Sequence, residues 1–275
     1  MEKGENMVRV TVLADNNTYI DQYLLGEPAL SYYIEDEEEK ILLDTGYSEV
    51  FLSNAKNLEV DLAAVNTIVL SHGHSDHTGG LPFLLKMPEL GKAKLVAHPD
   101  IFEAKHAHND EIGCPVSKEE LNEKFELILS KQPVMISKYL LFLGEIPRYF
   151  DFEPRYAIGK TKKGGVWQED LLFDDSAVAA ILGDSLFIMT SCSHSGVCSI
   201  IEHARKVTGI EKIAGVIGGF HLFEESERVR QTIRYFKQNH INRLYPCHCT
   251  SFAVKAALHQ EIPIQEVGVG LTLEL

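Results

Sequence analysis

Residues 71–80 read Ser71-His72-Gly73-His74-Ser75-Asp76-His77-Thr78-Gly79-Gly80. Three histidines and one carboxylate crowd into six positions between glycines. Packing does not ask for such a run, because polar and charged groups gain by crowding only when they share a partner. A divalent cation is such a partner. The preceding Thr67–Leu70 (TIVL) reads as a short buried strand. It would deliver His72 and His74 to one side, since residues i and i+2 of an extended chain point the same way. Gly73 lets the backbone bend so that both imidazoles converge. Ser75 is a spacer, and a turn there aims Asp76 and His77 at a second ion. Gly79 and Gly80 are expected to allow a tight turn into the next helix.

Four ligands so arranged do not close a tetrahedral structural site, so more are expected at other strand ends on the same edge of a sheet. His194, His221 and His248 each follow an expected strand within a few residues. Histidine and carboxylate donors suit Zn²⁺, and also Fe²⁺, Mn²⁺ and Co²⁺. His106, His108, His203, His240 and His259 read as ordinary surface or core residues. Cys247-His248-Cys249 is not a zinc knuckle. Its spacing is not C-x₂-C, and alternate strand residues face opposite ways, which leaves His248 as the ligand with cysteines packed on either side.

Working outward, Met7–Asp15 reads as a strand, and Leu30–Glu35 with Lys40–Leu43 as a hairpin around the acidic turn Glu35–Glu39. Ser48 caps a helix to about Asn57, Leu81–Leu90 is helical, and Lys94–Ala97 is a strand. From Pro99 to Asp170 the pattern breaks up. Lys118–Leu129 reads as helical and Tyr139–Leu143 as a short strand, and the segment as a whole as a lid over a site. Regularity returns with a hairpin, Ala177–Leu182 and Ser185–Thr190, and a helix over Val197–Val207. The strands Ile213–Ile217, Arg243–Tyr245 and Gly270–Leu275 alternate with helices at Glu224–His240 and Phe252–His259. Strand hairpins followed by strand–helix units occur in both halves. The fold class is therefore α/β: two sheets face to face with helices outside, a four-layer αββα sandwich. We expect a single domain over 1–275 with an insertion at about 99–170.

The chain has 275 residues, 45% of them hydrophobic, which is enough for a substantial core. A net charge of −14 argues against a nucleic-acid partner. No apolar run approaches the ~20 residues that span a bilayer, so no membrane partner is expected. Five cysteines at irregular spacing do not form a disulfide framework, and the N-terminus lacks a signal-peptide pattern, which points to the cytoplasm. A homo-oligomer is compatible with the composition.

His72-x-His74-x-Asp76-His77 resembles the H-x-H-x-D-H motif of the metallo-β-lactamase superfamily. By the same resemblance Asp44 corresponds to an acidic residue that orients a metal-binding histidine from behind. His194 in SCSHSG is similar to the third ligand segment, and His248 in PCHCT to the last. TVLADN, ILLDTGYS, VLSHGHSDHTGG, GEIPR, CSHSGV and IGGFHL together resemble the 7,8-dihydropterin-6-yl-methyl-4-(β-D-ribofuranosyl)aminobenzene-5′-phosphate synthase family. That family joins a pterin-methyl diphosphate to an aryl amine. The resemblance implies one or two divalent cations, Zn²⁺ first, with Mn²⁺, Fe²⁺, Ni²⁺ or Mg²⁺ as alternatives. It implies a phosphorylated small-molecule substrate. The reaction would be hydrolysis by metal-activated water or pterin-methyl transfer with loss of diphosphate.

On this reading the metal ligands are His72, His74, Asp76, His77, His194 and His248. Asp76 and His221 are catalytic candidates, Asp44 and Cys192 stand behind the ligands, and Arg148 and His221 contact substrate, the former as a guanidinium clamp on phosphate. An aromatic slot at Trp167 or Phe220 would suit a pterin. Two departures stand out. The superfamily's bridging aspartate, on a strand end shortly before the last ligand, has no obvious counterpart: LFIMTSCSH puts Cys192 and His194 where an L-F-x-G-D pattern is expected, and either residue could ligate. Glu27-Pro28-Ala29 replaces a Glu-His-Gly run. Two other classes are weighed. One is a redox diiron protein of this fold, where Glu would replace His74 and a flavodoxin-like domain would follow. The other is a non-catalytic, metal-stabilised binding protein.

Overall fold

A computed structural model describes residues 8–37 and 39–275. Met7 of the expected first strand and Glu38 of the acidic turn lie outside them. In chain order the elements are β1 (Val8–Ala14), β2 (Ser31–Asp36), β3 (Glu39–Leu43), α1 (Val50–Asn57), β4 (Thr67–Val69), α2 (Ser75–Thr78), α3 (Leu81–Leu84) and β5 (Lys94–Ala97). There follow β6 (Lys105–Ala107), β7 (Asp110–Glu111), α4 (Lys118–Lys124), β8 (Glu126–Leu129), β9 (Val134–Met135), β10 (Leu140–Phe142), β11 (Lys160–Lys163) and β12 (Val166–Glu169). The last are β13 (Ala177–Leu182), β14 (Ser185–Thr190), α5 (Val197–Thr208), β15 (Lys212–Gly218), α6 (Glu227–Gln238), β16 (Leu244–Pro246), α7 (Phe252–Glu261) and β17 (Thr272–Glu274).

One sheet has the order β17-β1-β2-β3-β4-β5-β8 and a second the order β16-β15-β14-β13-β10-β9. Between them lie Val10, Val12, Ile41 and Leu43 of the first and Val178, Phe187, Met189 and Ile217 of the second. The first sheet's outer face (Leu13, Leu42, Ile68) packs on Phe51 and Ala55 of α1 and Leu81 and Leu84 of α3. The second sheet's outer face (Ala179, Ile188, Val216) packs on α5, α6 and α7 through Ile200, Phe236 and Leu258. The layers are thus helix, sheet, sheet, helix, the expected αββα order. Strand β14 shows why the middle of its sequence, Leu186–Met189, is apolar throughout. Leu186 and Ile188 face the helices while Phe187 and Met189 face the other sheet, so both faces are buried.

Local differences from the sequence expectation have physical causes. The helix expected over Leu81–Leu90 ends at Leu84, and Pro88 opens a separate 3₁₀ turn, since a proline cannot continue the helical ladder. The helix expected over Lys118–Leu129 stops at Lys124. Residues Glu126–Leu129 instead pair in parallel with β5, where Leu127 and Leu129 face one core and Ile128 the other. Gly79 and Gly80 do not make a left-handed turn: their φ values are −63° and −77°. A Cβ at either would lie 2.2 Å from a backbone oxygen, of Tyr47 or Thr45 respectively. The glycines let the helix entry touch the loop after β3.

Residues 99–170 divide. Strand β8 extends the first sheet, and β9 and β10 the second, while β12-β11-β6-β7 form a separate four-stranded sheet. No helix among the described residues is long and apolar enough to cross a membrane.

Candidate metal centre

Strands β3 and β4 run parallel, as do β14, β15 and β16. The loops leaving their C-terminal ends meet at one edge of the sandwich and carry Asp44, His72, His74, Cys192, His194, His221 and His248. Four residues of these loops, Asp44, Ser193, His221 and His248, hold left-handed backbone with φ of 58°, 53°, 51° and 44°. Non-glycine residues adopt that region at a cost, and such positions gather at functional sites.

Asp44 is fully buried, and its carboxylate accepts from Ser71 N (2.8 Å), Ser71 Oγ (2.7 Å) and Ser191 Oγ (2.6 Å). Its Oδ2 also lies 2.8 Å from His77 Nδ1, which fixes that ring with Nε2 forward. Nε2 of His77 faces Asp76 Oδ2 at 3.5 Å and Cys192 Sγ at 3.2 Å. On the far side of Asp76, His248 Nε2 lies 3.3 Å from Oδ2. Across the cluster, His72 Nε2 and His194 Nε2 face each other at 3.2 Å.

Three sets of ligand-type atoms lie within 4.8 Å of one another: His72, His74 and Asp76; His72, Cys192 and His194; and Asp76, His77, Cys192 and His248. His74 Nε2 and His194 Nδ1 are buried without a hydrogen-bond partner, and the buried His248 Nε2 has only its 3.3 Å approach to Asp76 Oδ2. Buried polar atoms are rarely left so, and a divalent cation among these donors would supply the partner they lack. Burial, aided by neighbouring imidazoles, lowers His72 and His194 well below the ordinary histidine value, and burial lowers His74. Their rings are therefore neutral near pH 7, the form that binds a cation. Burial works to lower His77 too, but Asp76 and Asp44 outweigh it and push it up to about 10. Asp76, despite burial that would raise it, is held well below the usual carboxylate range by His77 and His248.

The cluster floors a cleft of about 520 Å³, walled on one side by Ala107, Ile112 and Ile158 beside the four-stranded sheet. His221 lines this cleft but belongs to none of the three ligand sets. Its Nδ1 hydrogen-bonds to the Tyr156 hydroxyl, and burial, with Arg228 nearby, lowers it to about 4. Arg148 is not brought to the cleft. It pairs with Asp151 at 2.6 Å with about half of its side chain exposed. Cys192, expected behind the ligands, has its sulfur among them. Of the cysteines flanking His248, Cys247 packs in the core against Tyr32 and Cys249 lines the cleft. Phe220 is fully buried in the outer core, and Trp167 packs edge-on against His106, so neither forms a slot in the cleft.

Sequence reasoning missed Asp15, Asn16, Ser191 and Tyr156. Asp15 Oδ2 accepts from His248 N at 3.0 Å, and Asn16 Oδ1 lies 2.9 Å from His248 Nδ1, doing for His248 what Asp44 does for His77. A signal existed. Asp15 follows β1 as Asp44 follows β3, and a polar residue just past a buried strand end is a candidate to orient the site.

Fold and cluster together define an α/β protein that gathers metal-ligand side chains at one edge of paired sheets. The chain belongs to the metallo-β-lactamase superfamily, whose family model matches residues 24–175. It is 32% identical to the 7,8-dihydropterin-6-methyl-4-(beta-D-ribofuranosyl)-aminobenzene-5'-phosphate synthase of Methanocaldococcus jannaschii, over 92% of this chain and 91% of that one. Its structure is similar to that of Tm1679, a metal-dependent hydrolase of the beta-lactamase superfamily, with TM-score 0.82 and 25% identity over 98% of this chain and 99% of that one. YhfI from Bacillus subtilis shares the fold at TM-score 0.61 and 16% identity, over 98% and 100% of the two chains. Members of the superfamily typically bind divalent metals, and the three sets above are where this chain offers such ligands.

Proposed function

We propose that this protein is a metal-dependent enzyme that hydrolyses a phosphate-bearing small molecule. His72, His74, Asp76, His77, His194 and His248 would hold one or two divalent cations, Zn²⁺ foremost. The observation that carries this reading is the set of buried, partnerless imidazole nitrogens converging on the floor of an open cleft. The bound cations would supply Lewis acidity, a lowered pKa for water and the positive charge that a phosphate needs. That last need is acute, because among the described residues no lysine or arginine lines the cleft, and the chain's net charge is −14.

The chain's own groups do the positioning. Asp44 and Asn16 hold the rings of His77 and His248, and Asp76 sits between those rings. His221, neutral near pH 7, accepts the Tyr156 hydroxyl at Nδ1, which leaves its Nε2–H as a donor to substrate oxygen. Hydrolysis is put first because it needs only the cations and water, and neither Trp167 nor Phe220 lines the cleft; Phe223, edge-on to His221, is the aromatic a pterin would meet there. Pterin-methyl transfer to an aryl amine is the second reading, favoured by the name of the 32%-identical relative. The free cysteines suit a reducing compartment such as the cytoplasm.

The test is elemental analysis of the wild type and His74→Ala, with turnover on a panel of phosphomonoesters, phosphodiesters and diphosphates. Bound zinc that falls in the variant, with phosphate released only by the wild type, is the expected result. Unchanged metal content in His74→Ala removes the metal assignment. Diphosphate released only when a pterin-methyl diphosphate and an aryl amine are both present establishes the second reading instead. Retained metal with no turnover on any of these leaves a metal-stabilised binding protein.

A further inference from the structure

The superfamily resemblance calls for an aspartate that bridges two cation positions, placed at a strand end shortly before the last ligand. In this chain that place is the loop after β15, Gly218-Gly219-Phe220-His221. None of the four residues can supply the bridge. A Cβ on Gly218 would lie 2.1 Å from Thr190 O, and one on Gly219 would lie 2.4 Å from Cys249 Sγ and 2.5 Å from Ser191 O. Phe220 points into the outer core, and His221 is tied to Tyr156 and lies outside the ligand sets. The loop packs too closely on its neighbours to carry a carboxylate.

A different side chain reaches the same position. The sulfur of Cys192 belongs to two of the three ligand sets, with His72 and His194 on one side and with Asp76, His77 and His248 on the other. It is the shared corner of those two sets, as His72 and Asp76 each are of another pair, and among the three only Cys192 joins the His194 set to the His248 set. The residue is buried, and the sulfur lies 3.2 Å from His77 Nε2. Cys249 is close by and lines the cleft, but it belongs to no set, and its Sγ–H is directed at the Cys192 carbonyl at 3.5 Å.

We infer that the thiolate of Cys192 bridges the two cation positions in place of the missing carboxylate. This rests on the reading that the clusters hold cations. Sulfur has enough lone pairs to bind two ions at once, and the thiol proton leaves to solvent when the cations bind. The exchange of carboxylate for thiolate also shifts preference toward softer ions such as Zn²⁺, Co²⁺ or Fe²⁺ and away from Mg²⁺ and Mn²⁺.

Cobalt is the probe, because a thiolate bound to Co²⁺ gives a near-ultraviolet charge-transfer band that histidine and carboxylate do not. Metal content by elemental analysis reports separately on whether cations bind at all. We expect wild-type protein with two cobalt ions per chain to show the band. Cys192→Ser loses it and binds cobalt about tenfold more weakly or worse, Cys249→Ser keeps it, and Cys192→Asp restores two ions without it. His74→Ala and His248→Ala, each reduced to one ion, both keep the band, because the sulfur touches whichever ion remains.

A band that survives Cys192→Ser or vanishes in Cys249→Ser overturns the assignment. A band lost in either single-histidine variant while one ion stays bound confines the sulfur to one ion and overturns the bridge. Two cobalt ions bound without a band sink this inference and leave the metal reading standing. No cobalt bound at all sinks both.

Discussion

Asp44 shows how one residue can set a site without touching what the site binds. Its carboxylate is buried, sits on left-handed backbone, and meets two serines and His77. Asp44→Asn keeps the shape, but its amide NH₂ cannot accept a proton from His77 Nδ1. The ring is then free to turn or to take the wrong tautomer. Such changes behind a ligand cost about 10–100-fold in metal affinity, and we expect a loss of that size for zinc in competition with a chelator. An affinity equal to the wild type's would show that Asp44 does not orient the ligand. The residues that sequence reasoning grouped, and that the fold gathers in one cluster, were those whose meaning is local: His72, His74, Asp76 and His77 share one turn, and Asp44 announces itself as a carboxylate at a strand end. Asn16 stands 232 positions from the histidine it holds, and Tyr156 65 positions from His221. Nothing local marks such partners, and only folding brings them together.

At the scale of elements, a buried ion pair ties the small sheet to the ligand turn. Lys105 of β6 is almost fully buried and reaches Asp170 Oδ2 at 2.7 Å and Asp174 Oδ1 at 3.0 Å. Asp174 Oδ2 in turn accepts from Gly73 N at 2.9 Å, in the middle of the His72-Gly73-His74 run. Lys105→Met leaves two buried carboxylates facing an apolar chain, and removing one partner of a buried pair costs about 3–5 kcal/mol. Urea unfolding of Lys105→Met should show a loss of that order. Replacing Asp170 and Asp174 by Asn in the same chain should recover much of it, because the uncompensated charges are gone. A loss under 1 kcal/mol would mean that water reaches the pair and the pin is weak. The helical expectation for Lys118–Leu129 failed on this scale for a related reason. ELIL satisfies a strand as well as a helix, and pairing with β5, set by distant residues, decides between them.

At the scale of the molecule, the order of hairpins and strand–helix units was enough to predict two sheets between helices. Apolar strands such as β14 need two buried faces, and only a layered sandwich supplies them. The sequence was less informative about which parts of 99–170 would join that sandwich, because short strands are assigned by their partners. The assembled site also gives the whole fold a pH dependence that no single ligand carries. In the metal-free protein the buried rings of His72, His74 and His194 have lowered pKa values, whereas the unfolded chain protonates them near 6.5. Below about pH 6.5 the unfolded state therefore binds more protons, and stability falls as pH falls. Asp76, held well below its usual value, adds to the loss in acid. His77 acts in the opposite sense. Raised to about 10, it contributes stability that is complete below its unfolded value near 6.5 and is lost as pH rises through 10. Metal-free protein should be most stable near pH 6.5, losing stability below it as His72, His74 and His194 protonate in the unfolded chain, and above it, through His77, as pH climbs from about 6.5 to about 10. Zinc at a hundredfold excess over its Kd should add about 2.7 kcal/mol near neutrality. The gain should shrink by about pH 5, where protons compete for the same nitrogens. Unfolding by urea with chelator and with zinc, at acid, neutral and alkaline pH, measures both curves. A chelated protein as stable at pH 5 as at pH 6.5 would show that the imidazoles are not held neutral by burial.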